Sequence, residues 1–332
     1  MIQSFGRHIL HQRHQLSHEQ IDALLGESRA AEFSEERALM LGRLHGLMQV
    51  AAALESAGVS FTVLKGFPLS QKIYGNPFMR ITGDLDLLLD PPMIAPAIDA
   101  LTALGYIPAY DLWPPNKKGA DKLMRFRNQF AMKHPESGIV AELHWRLFYY
   151  PVIAAARMEK VVRANLTTII VEGRTFRVLN PELDLLYLIV HGGMHGYSRL
   201  KWLADVVSLA NQQRFSAKRF MELTATFNAG RMVGLYNRLK KDWPGGAKQL
   251  PGAAATPSFL EKNARRMIFS QSDTSFQTPV SLLRYFYFVA SSFPGLGYKW
   301  RILVYAWRSL WINSPERPRL LNPRRLFKLP SA

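Results

Sequence analysis

An Asp-x-Asp pair inside an otherwise apolar segment, residues 81–89, constrains this chain more than any other feature. In a β-strand, residues two apart point to the same face, so Asp84 and Asp86 would project side by side. The leucines beside them would then face the core. Two like charges held this close repel each other and are costly to remove from water, and a divalent cation is the natural reason to place them there. The segment therefore predicts a buried strand that presents a cation site.

A third carboxylate is expected on another strand, because phosphoryl and nucleotidyl transfer use two metal ions about 4 Å apart that carboxylates bridge. The best candidate is Glu142, in a predicted strand over 139–145. On that strand Val140, Glu142 and His144 share one face. If the strand neighbours the Asp-x-Asp strand, Glu142 completes a three-carboxylate cluster, as a metal ligand or as general base toward an acceptor hydroxyl. The alternative is a surface glutamate on a half-buried strand.

Two basic positions near the aspartates are candidates for phosphate contact. Lys65-Gly66 follows a predicted strand over 60–64 and precedes a helix that Pro68 can begin. Glycine lets a ligand approach the backbone, a helix N-terminus offers N–H groups to phosphate, and Lys65 could reach a triphosphate as a point charge. Arg80 lies just before the Asp-x-Asp strand. For both positions the alternative is an ordinary turn or loop residue.

Composition limits the class of protein. The chain has 332 residues, 48% of them hydrophobic, which suits about two domains with a substantial core and argues against global disorder. It has no cysteine, which excludes disulfides, cysteine-based zinc sites and thiol catalysis and agrees with the cytoplasmic location that we expect. Residues 1–20 do not resemble a signal peptide, and no stretch reaches the roughly 18 apolar residues of a membrane span.

Positive charge is concentrated toward the C-terminus. The net charge is +17, from 42 basic and 25 acidic residues, and residues 261–332 contain 12 Lys or Arg against 3 Asp or Glu, a surplus of +9. Such a surplus favours an acidic partner: nucleotides, nucleic acid, an anionic membrane or an acidic protein. The alternative is a solvated basic surface.

The spacing of apolar residues predicts an α+β protein, with a small mixed β-sheet followed by a helical C-terminal domain. Within the helix predicted at 34–57, the expected apolar stripe includes Leu39, Leu41 and Leu44. The predicted units are an N-terminal helical segment (1–59), a catalytic domain (60–180), a helical domain that closes the cleft (181–313) and a basic, proline-rich tail (314–332). The predicted strands are 60–64, 81–89, 126–133, 139–145, 167–171 and 175–179, and the predicted helices are 34–57, 68–74, 93–104 and much of 182–210.

Short motifs follow one another between residues 61 and 209. They are Leu64-Lys65-Gly66, Tyr74-Gly75, Arg80, Gly83-Asp84-Leu85-Asp86-Leu87-Leu88, Glu142-Leu143-His144-Trp145, His191-Gly192-Gly193-x-His195 and Arg199-Leu200-Lys201-Trp202-Leu203-Ala204-Asp205. Together, in this order and spacing, they resemble an uncharacterised nucleotidyltransferase family of the DNA polymerase β-like nucleotidyltransferase superfamily.

The resemblance implies a small mixed sheet and a helical C-terminal domain that closes the nucleotide cleft. It implies Mg²⁺, with two ions expected, an NTP donor that we expect to be ATP, and release of pyrophosphate. We accordingly predict that Asp84, Asp86 and Glu142 are the metal ligands and catalytic residues. We predict that the nucleotide is bound by Lys65, Gly66, Arg80, Lys201 and Asp205.

The helical segment after residue 180 contains two pairs spaced four residues apart, and each pair therefore shares a helical face. The first is His191 with His195, and the second is Lys201 with Asp205. We expect a polar face that lines the nucleotide cleft, with Lys201 on phosphate and Asp205 orienting it. Alternatively, the histidines bind zinc, although no HExxH motif is present, or Lys201 and Asp205 form a surface ion pair worth under about 0.5 kcal/mol.

An aromatic stripe lies near the C-terminus. Trp300, Val304, Trp307 and Trp311 fall on one helical face, with Arg301 beside them. A helical stripe of this kind is most often part of a core. Its alternatives are a membrane or protein surface and, since tryptophan with arginine can stack on bases, a nucleic-acid contact.

The leading functional hypothesis is a metal-dependent nucleotidyltransferase that transfers an NMP from an NTP to an acceptor. Protein, peptide, small molecule, sugar and RNA all stay open as acceptors. One alternative is a non-catalytic protein of the same fold that binds an acidic partner through its basic C-terminal region. Another is a kinase-like transferase that moves the γ-phosphate.

Overall fold

A computed structural model describes residues 1–27, 33–110, 112–114, 116–149, 152–212, 215–270 and 279–312. The side chains at 33, 212, 279–282 and 305–312 lie outside this description. Helices form most of the described chain, and a small mixed sheet and a separate hairpin lie within its first 180 residues. The predicted α+β class is therefore confirmed.

Strands and helices are mixed up to residue 179, and only helices follow among the described residues. The strands are β1 (Phe61–Val63), β2 (Asp84–Leu89), β3 (Ile107–Pro108), β4 (Gln129–Lys133), β5 (Val140–His144), β6 (Leu166–Val171) and β7 (Arg174–Leu179). The helices are α1 (Arg7–Gln12), α2 (His18–Leu25), α3 (Phe33–Ser56), α4 (Phe67–Tyr74), α5 (Ile94–Ala103), α6 (Lys117–Phe126), α7 (Ala155–Arg163), α8 (Pro181–Met194), α9 (Leu200–Gln212), α10 (Ala217–Thr226), α11 (Gly230–Leu239), α12 (Ser258–Phe269), α13 (Pro279–Ser292) and α14 (Leu296–Ile312).

Residues at the helix ends explain several of these bounds. Helix α2 begins with a capping box, in which Ser17 and Gln20 each satisfy the backbone N–H of the other. Helix α8 begins at Asn180, whose side chain accepts from the N–H of Leu183, and Pro181 occupies the first helical position. Helix α4 ends at Gly75, which adopts the left-handed conformation at φ 67°.

The central sheet has the strand order β1-β2-β5-β4-β3. Strands β2 and β5 run parallel, with Asp84 opposite Val140 and Asp86 opposite Glu142, and the other neighbours are antiparallel. The leucines at 85, 87 and 89 are buried, as the alternation in the sequence predicted. The predicted condition for a three-carboxylate cluster, that these two strands are neighbours, is thus met.

The second sheet is the predicted hairpin of β6 and β7. Glu172 and Gly173 form its two-residue turn with φ of 45° and 77°. Positive φ at both turn positions is the conformation that matches the twist of the flanking strands. The hairpin packs beside β1, where Arg177 Nε donates to Thr62 Oγ1 at 3.0 Å.

The described core forms two hydrophobic clusters, and the N-terminal helices divide between them. One cluster lies between the central sheet, α3 and α5. The other surrounds α8, which is apolar on nearly all sides, and includes Leu10 and Leu16 near α1 and Ile21 of α2. Residues 1–25 therefore pack with the helical half of the chain, whereas α3 packs with the sheet.

Several predicted bounds were wrong. Strand β2 begins at Asp84 rather than Ile81, and β4 begins at Gln129 because residues 117–126 form helix α6, which the prediction lacked. Asn116 caps that helix by accepting from Gly119 N–H at 2.8 Å. In α3 the stripe was also partly wrong, since Leu39 and Leu41 are 54% and 56% exposed. They lie about 100° to either side of buried Met40 on the helix.

The C-terminal aromatic stripe is only partly described. Trp300 on α14 is 68% exposed, so the core interpretation is wrong for that residue. The side chains of Trp307 and Trp311 and the predicted tail at 314–332 lie outside the described residues. Within the described part of the chain, no helix combines the length and apolar character needed to cross a membrane.

Candidate active site

A cavity between the central sheet and the helical half brings most of the predicted site residues together. Its walls include residues from β2 and β5, the loop before α4, and helices α8 and α9. Asp205 is not among the lining residues because it lies fully buried behind Arg80. The predicted residues that line the cavity are Lys65, Gly66, Arg80, Asp84, Asp86, Glu142, His191, His195 and Lys201.

Acidic groups from two parallel strands form one wall of this cavity. Asp86, Glu142 and His144 each offer a ligand atom, and these atoms lie within 4.8 Å of one another. Asp84 falls outside that set but lines the same cavity from two residues along β2. Burial raises the pKa of Asp84, and the neighbouring Asp86 and Glu142 raise it further. The three predicted carboxylates are thus electrostatically coupled, with Asp86 and Glu142 in closest contact with His144.

Two basic side chains compensate the charge of Asp86. Lys65 Nζ lies 3.0 Å from Asp86 Oδ1, and His144 Nε2 lies 3.2 Å from the same oxygen. Burial alone would raise the pKa of Asp86, but these two neighbours hold it well below its usual range. Burial alone would lower the pKa of Lys65, and Asp86 instead keeps it above its usual range. Lys65, predicted to meet phosphate, therefore contacts Asp86, a predicted metal ligand, in this structure.

His144 is a site residue to which the sequence analysis gave no role. Its Nε2 lies 3.4 Å from Glu142 Oε2 as well as 3.2 Å from Asp86. Burial would lower the pKa of His144, but the two carboxylates raise it to about 9, so the ring is an imidazolium near neutral pH. The available signal was its position two residues after Glu142, on the same strand face.

A divalent cation fits this group of side chains. Asp86 Oδ1 is buried and lies 3.0 Å from Lys65 Nζ and 3.2 Å from His144 Nε2, but neither contact has hydrogen-bond geometry. An anionic oxygen in that state has an acceptor position that a cation can satisfy. Carboxylate oxygens are the ligands that Mg²⁺ prefers, and three are available from Asp84, Asp86 and Glu142. The predicted donor set therefore suits Mg²⁺.

Arg80, which lines the cavity, forms a buried ion pair with Asp205. Arg80 Nε and Nη2 donate to the two oxygens of Asp205 at 2.8 and 2.9 Å, and Nη1 donates to Ile81 O at 3.2 Å. Their side chains are 4% and 0% exposed. Asp205 thus fixes the Arg80 guanidinium in a bidentate geometry. The prediction had placed Asp205 against Lys201 instead, on the basis of helical spacing alone.

Lys201 presents a buried ammonium to the cavity. The residue is 6% exposed, and no described side chain or carbonyl forms an ion pair or hydrogen bond with its Nζ. Burial lowers the pKa of Lys201 to about 7, and the nearby Arg80 contributes in the same direction. The surface ion pair considered as an alternative is therefore wrong, since Lys201 and Asp205 are both buried. The carboxylates of Asp84 and Asp205 act on this ammonium only from beyond ion-pair distance, and they raise its pKa less than burial lowers it.

The N-terminal segment supports the helix that carries Lys201. His14 Nδ1 accepts from Leu200 N–H at 3.3 Å, and His14 O accepts from Lys201 N–H at 3.2 Å. These are N–H groups of the first turn of α9, which have no partner within the helix. Arg199 Nη1 donates to Gln15 Oε1 at 3.0 Å in the same place. Residues 14 and 15 thus cap α9 from a distant part of the chain.

Gly66 occupies a position that requires glycine. Its φ is 71°, and a Cβ there would lie 3.2 Å from Thr82 Cγ2. Thr82 is held in turn by Arg43, whose Nη1 donates to its carbonyl at 2.5 Å. The loop before α4 therefore packs closely on the residues that lead into β2, and both loops face the cavity.

The helical wall of the cavity contains two neutral histidines and a tryptophan. The ring centroids of His191 and His195 lie 5.5 and 4.9 Å from that of Trp202. Burial lowers the pKa of His195 to about 4, with Lys65 contributing, and lowers that of His191 well below its usual range. The two rings therefore contribute no charge at neutral pH. The predicted polar face lines the cavity as an aromatic wall.

The glycines between these histidines allow the helices to approach. A Cβ at Gly192 would lie 2.6 Å from the Tyr197 ring and 3.2 Å from Trp202 Cβ, and one at Gly193 would lie 2.8 Å from Met232 Sδ. The separations of 2.6 and 2.8 Å are shorter than real Cβ atoms show, and that of 3.2 Å is tight. The His-Gly-Gly-x-His motif therefore combines cavity-lining rings with close packing of α8 on its neighbours.

Comparison with known proteins identifies the family. A family model described as uncharacterised nucleotidyltransferase matches residues 10–245. Among solved structures, the chain is similar to an antigenic nucleotidyltransferase-like protein from Paracoccidioides brasiliensis, with 18% identity, coverage of 54% of this chain and 77% of that chain, and a TM-score of 0.33. Comparison with the curated proteins found no match. Because the family model covers most of the chain, the resemblance predicted from the motifs is confirmed, and the chain belongs to the uncharacterised nucleotidyltransferase family.

Proposed function

We propose that this protein is a Mg²⁺-dependent nucleotidyltransferase that transfers an NMP from an NTP, with ATP as the expected donor, to an acceptor group. The observation that carries the proposal is the parallel pairing of β2 with β5, which sets Asp86 beside Glu142 at the wall of a cavity. Family membership supports the general class of nucleotidyltransferase. The metal, the donor and the site residues are part of the proposal.

Asp84, Asp86 and Glu142 would hold the metal. Mg²⁺ bound there would neutralise charge on the triphosphate and make the attacking hydroxyl more acidic. Lys65 and His144, which lie against Asp86, would then share that carboxylate with the metal.

The basic side of the cavity would bind the phosphates. Lys201 has an ammonium without a described counter-ion, and a phosphate oxygen would supply one and keep the lysine protonated. Arg80 lines the cavity with a guanidinium that Asp205 already orients, so little side-chain entropy is lost when it meets the ligand. The turn at Gly66 would allow close approach of the triphosphate to the backbone.

The reaction follows from these positions. An acceptor oxygen attacks the α-phosphorus in line, the new O–P bond forms, and the bond from the α-phosphorus to the bridging oxygen breaks. Pyrophosphate leaves with that electron pair. The acceptor proton passes to a carboxylate, for which Glu142 is the proposed base. His144, 3.4 Å from Glu142, would orient that carboxylate as a positioning residue.

Transfer of label from an α-labelled NTP tests the proposal. Asp84→Asn combined with Asp86→Asn should abolish Mg²⁺-dependent transfer to candidate acceptors. Asp90→Asn is a matched control, because Asp90 follows the same strand but is 51% exposed and pairs only at the surface with Arg163. It should keep full transfer. Equal transfer by both variants would refute the assignment.

A non-catalytic protein is the second candidate, and one observation favours it. Asp86 is already compensated by Lys65 and His144, so the site can be neutral without a metal. Calorimetry with Mg²⁺ and ATP separates the candidates: absence of nucleotide binding, together with salt-dependent binding to RNA or anionic vesicles, would favour the second. ADP rather than pyrophosphate as product would indicate γ-phosphate transfer.

We also propose domain limits at residues 59, 180 and 313, with residues 1–25 packed on the helical half and α3 on the sheet, and a cytoplasmic location. The latter is supported by the lack of cysteine in the sequence. Limited proteolysis and fractionation of cells that express the tagged full chain would test these two points.

A further inference from the structure

A second group of metal-ligand side chains lies outside the cavity, where the first three helices meet. His11 of α1, His18 of α2 and Glu36 of α3 each offer a ligand atom, and these atoms lie within 4.8 Å of one another. All three residues are half-buried. The two imidazole rings are stacked, with centroids 4.1 Å apart and planes 21° apart. Each ligand comes from a different helix, so the group exists only in the folded chain.

Backbone contacts orient this group. His11 Nδ1 lies 3.0 Å from Leu16 O, so a neutral ring that donates from Nδ1 keeps its Nε2 lone pair available. Glu36 Oε2 accepts from the backbone N–H of His18 at 3.3 Å and lies 3.5 Å from His11 Nδ1. Carbonyl contacts that fix the tautomer of a histidine and hydrogen bonds that hold a carboxylate are the supporting interactions of metal centres.

The donors of the group suit a cation. Each imidazole offers a nitrogen lone pair, and Glu36 offers an anionic oxygen. Burial raises the pKa of the Glu36 carboxyl. The hydrogen bond from His18 N–H and the nearby His11 lower this pKa by less, so the neighbouring groups only partly stabilise the negative charge of Glu36. A divalent cation would compensate the carboxylate and use both rings in their neutral form.

We propose that His11, His18 and Glu36 bind a divalent cation of the Zn²⁺ class. Two imidazole nitrogens and one carboxylate are a known ligand set for zinc, which binds four ligands in a tetrahedron and can take water as the fourth. Bonds of about 2.0–2.1 Å put tetrahedral ligand atoms about 3.4 Å apart. The ligand atoms, now within 4.8 Å of one another, would have to approach to that separation, and the stacked rings would have to turn apart so that their in-plane lone pairs meet at the ion.

The proposed ion would fix the N-terminal helices to α3. The segment between α1 and α2 is the one that caps α9 through His14, and Ser17 Oγ donates to Met79 O at 2.7 Å beside Arg80. Zinc at this position would act on stability rather than on bond chemistry. Its binding free energy would add to the stability of that cap.

The experiment must separate this site from the carboxylates of the cavity, which can also bind zinc. The full chain is stripped with a chelator, and Zn²⁺ alone is titrated in competition with a chromophoric chelator. Asp84→Asn, Asp86→Asn and Glu142→Gln together remove the three cavity carboxylates and should leave one tight equivalent. His11→Gln with His18→Gln, in that same background, should weaken this equivalent by at least about 100-fold.

His8→Gln is the matched control, because His8 is an exposed histidine of the same helix. It should bind Zn²⁺ as the parent protein does, and Zn²⁺ should raise its Tm. The double histidine variant, if folded without metal as the parent is, should show no rise in Tm with Zn²⁺. If that variant does not fold, Glu36→Gln, which preserves shape, replaces it. Binding by the ligand variants as tight as by His8→Gln, or no tight equivalent in the parent, would overturn the proposal.

Discussion

Replacing Lys201 by methionine should stabilise the protein. Lys201 is 6% exposed and has no described partner for its ammonium. Methionine has a similar length and fills the same space without a charge. The substitution therefore removes the free-energy cost of holding a cation in a poorly solvated position.

The size of the gain follows from the pKa of Lys201, which falls from 10.5 to about 7 on folding. Each pKa unit corresponds to about 1.4 kcal/mol. Holding the charged Lys201 in the folded protein therefore costs about 5 kcal/mol at a pH where the lysine is charged in both the folded and the unfolded chain. Between these values the unfolded chain binds a proton that the folded chain lacks, so the free energy of unfolding of the wild type rises with pH. The gain from Lys201→Met is thus full below pH 7 and fades toward pH 10.5.

Urea-induced unfolding at about pH 6, 8 and 10 measures this gain. Lys241→Met is the matched control, because Lys241 is exposed, and it should change the free energy of unfolding by less than about 0.5 kcal/mol at every pH. A Lys201→Met protein that is less stable than the wild type near pH 6, or whose gain does not fall with pH, would refute the reasoning.

Other predictions concern the same region. Asp205→Asn leaves the guanidinium of Arg80 buried without its carboxylate, so it should lower the free energy of unfolding by about 3–5 kcal/mol, as measured by urea-induced unfolding. A loss below about 1 kcal/mol is the size expected of a surface pair and would contradict a buried one. Gly192→Ala should lower it by about 1–3 kcal/mol because the added methyl meets the packed Tyr197 ring, whereas Gly42→Ala, in an open position on a helix, should raise it by up to about 1 kcal/mol. Because Lys201 loses its charge as pH rises through 7, calorimetry should show that the affinity of the wild type for ATP falls over this range. Lys201→Arg stays charged, so its affinity should change little. Parallel pH profiles for the two proteins would contradict this.

Local pattern was sufficient for the carboxylate wall. Alternation along single strands placed Asp84 with Asp86, and Glu142 with His144, because side-chain direction in a strand depends only on position. The predicted three-carboxylate cluster required these two strands to be neighbours, and β2 and β5 do pair in parallel. The role of His144 depends on the register between these strands, which the sequence of either strand alone does not contain.

Long-range pairing decided what local spacing could not. The spacing of four residues favoured Lys201 as the partner of Asp205, but Arg80, 125 residues away, satisfies both carboxylate oxygens at once. A bidentate contact outweighs a single helical neighbour. Helix α6 was missed although its sequence is amphipathic, since the segment is predominantly polar and none of its residues is fully buried.

The cap that His14 provides for α9 has a consequence for synthesis of the chain. His14 and Leu200, whose N–H it accepts, are 186 residues apart in the chain. At roughly 5–20 residues per second, the ribosome takes roughly 10–40 s to make the second half after the first. During that time the N-terminal helices are exposed without α9. A chaperone or a tag at the N-terminus can then occupy the surface on which α9 would pack. The chain with a C-terminal tag should accordingly yield more folded protein than the chain with the same tag before residue 1.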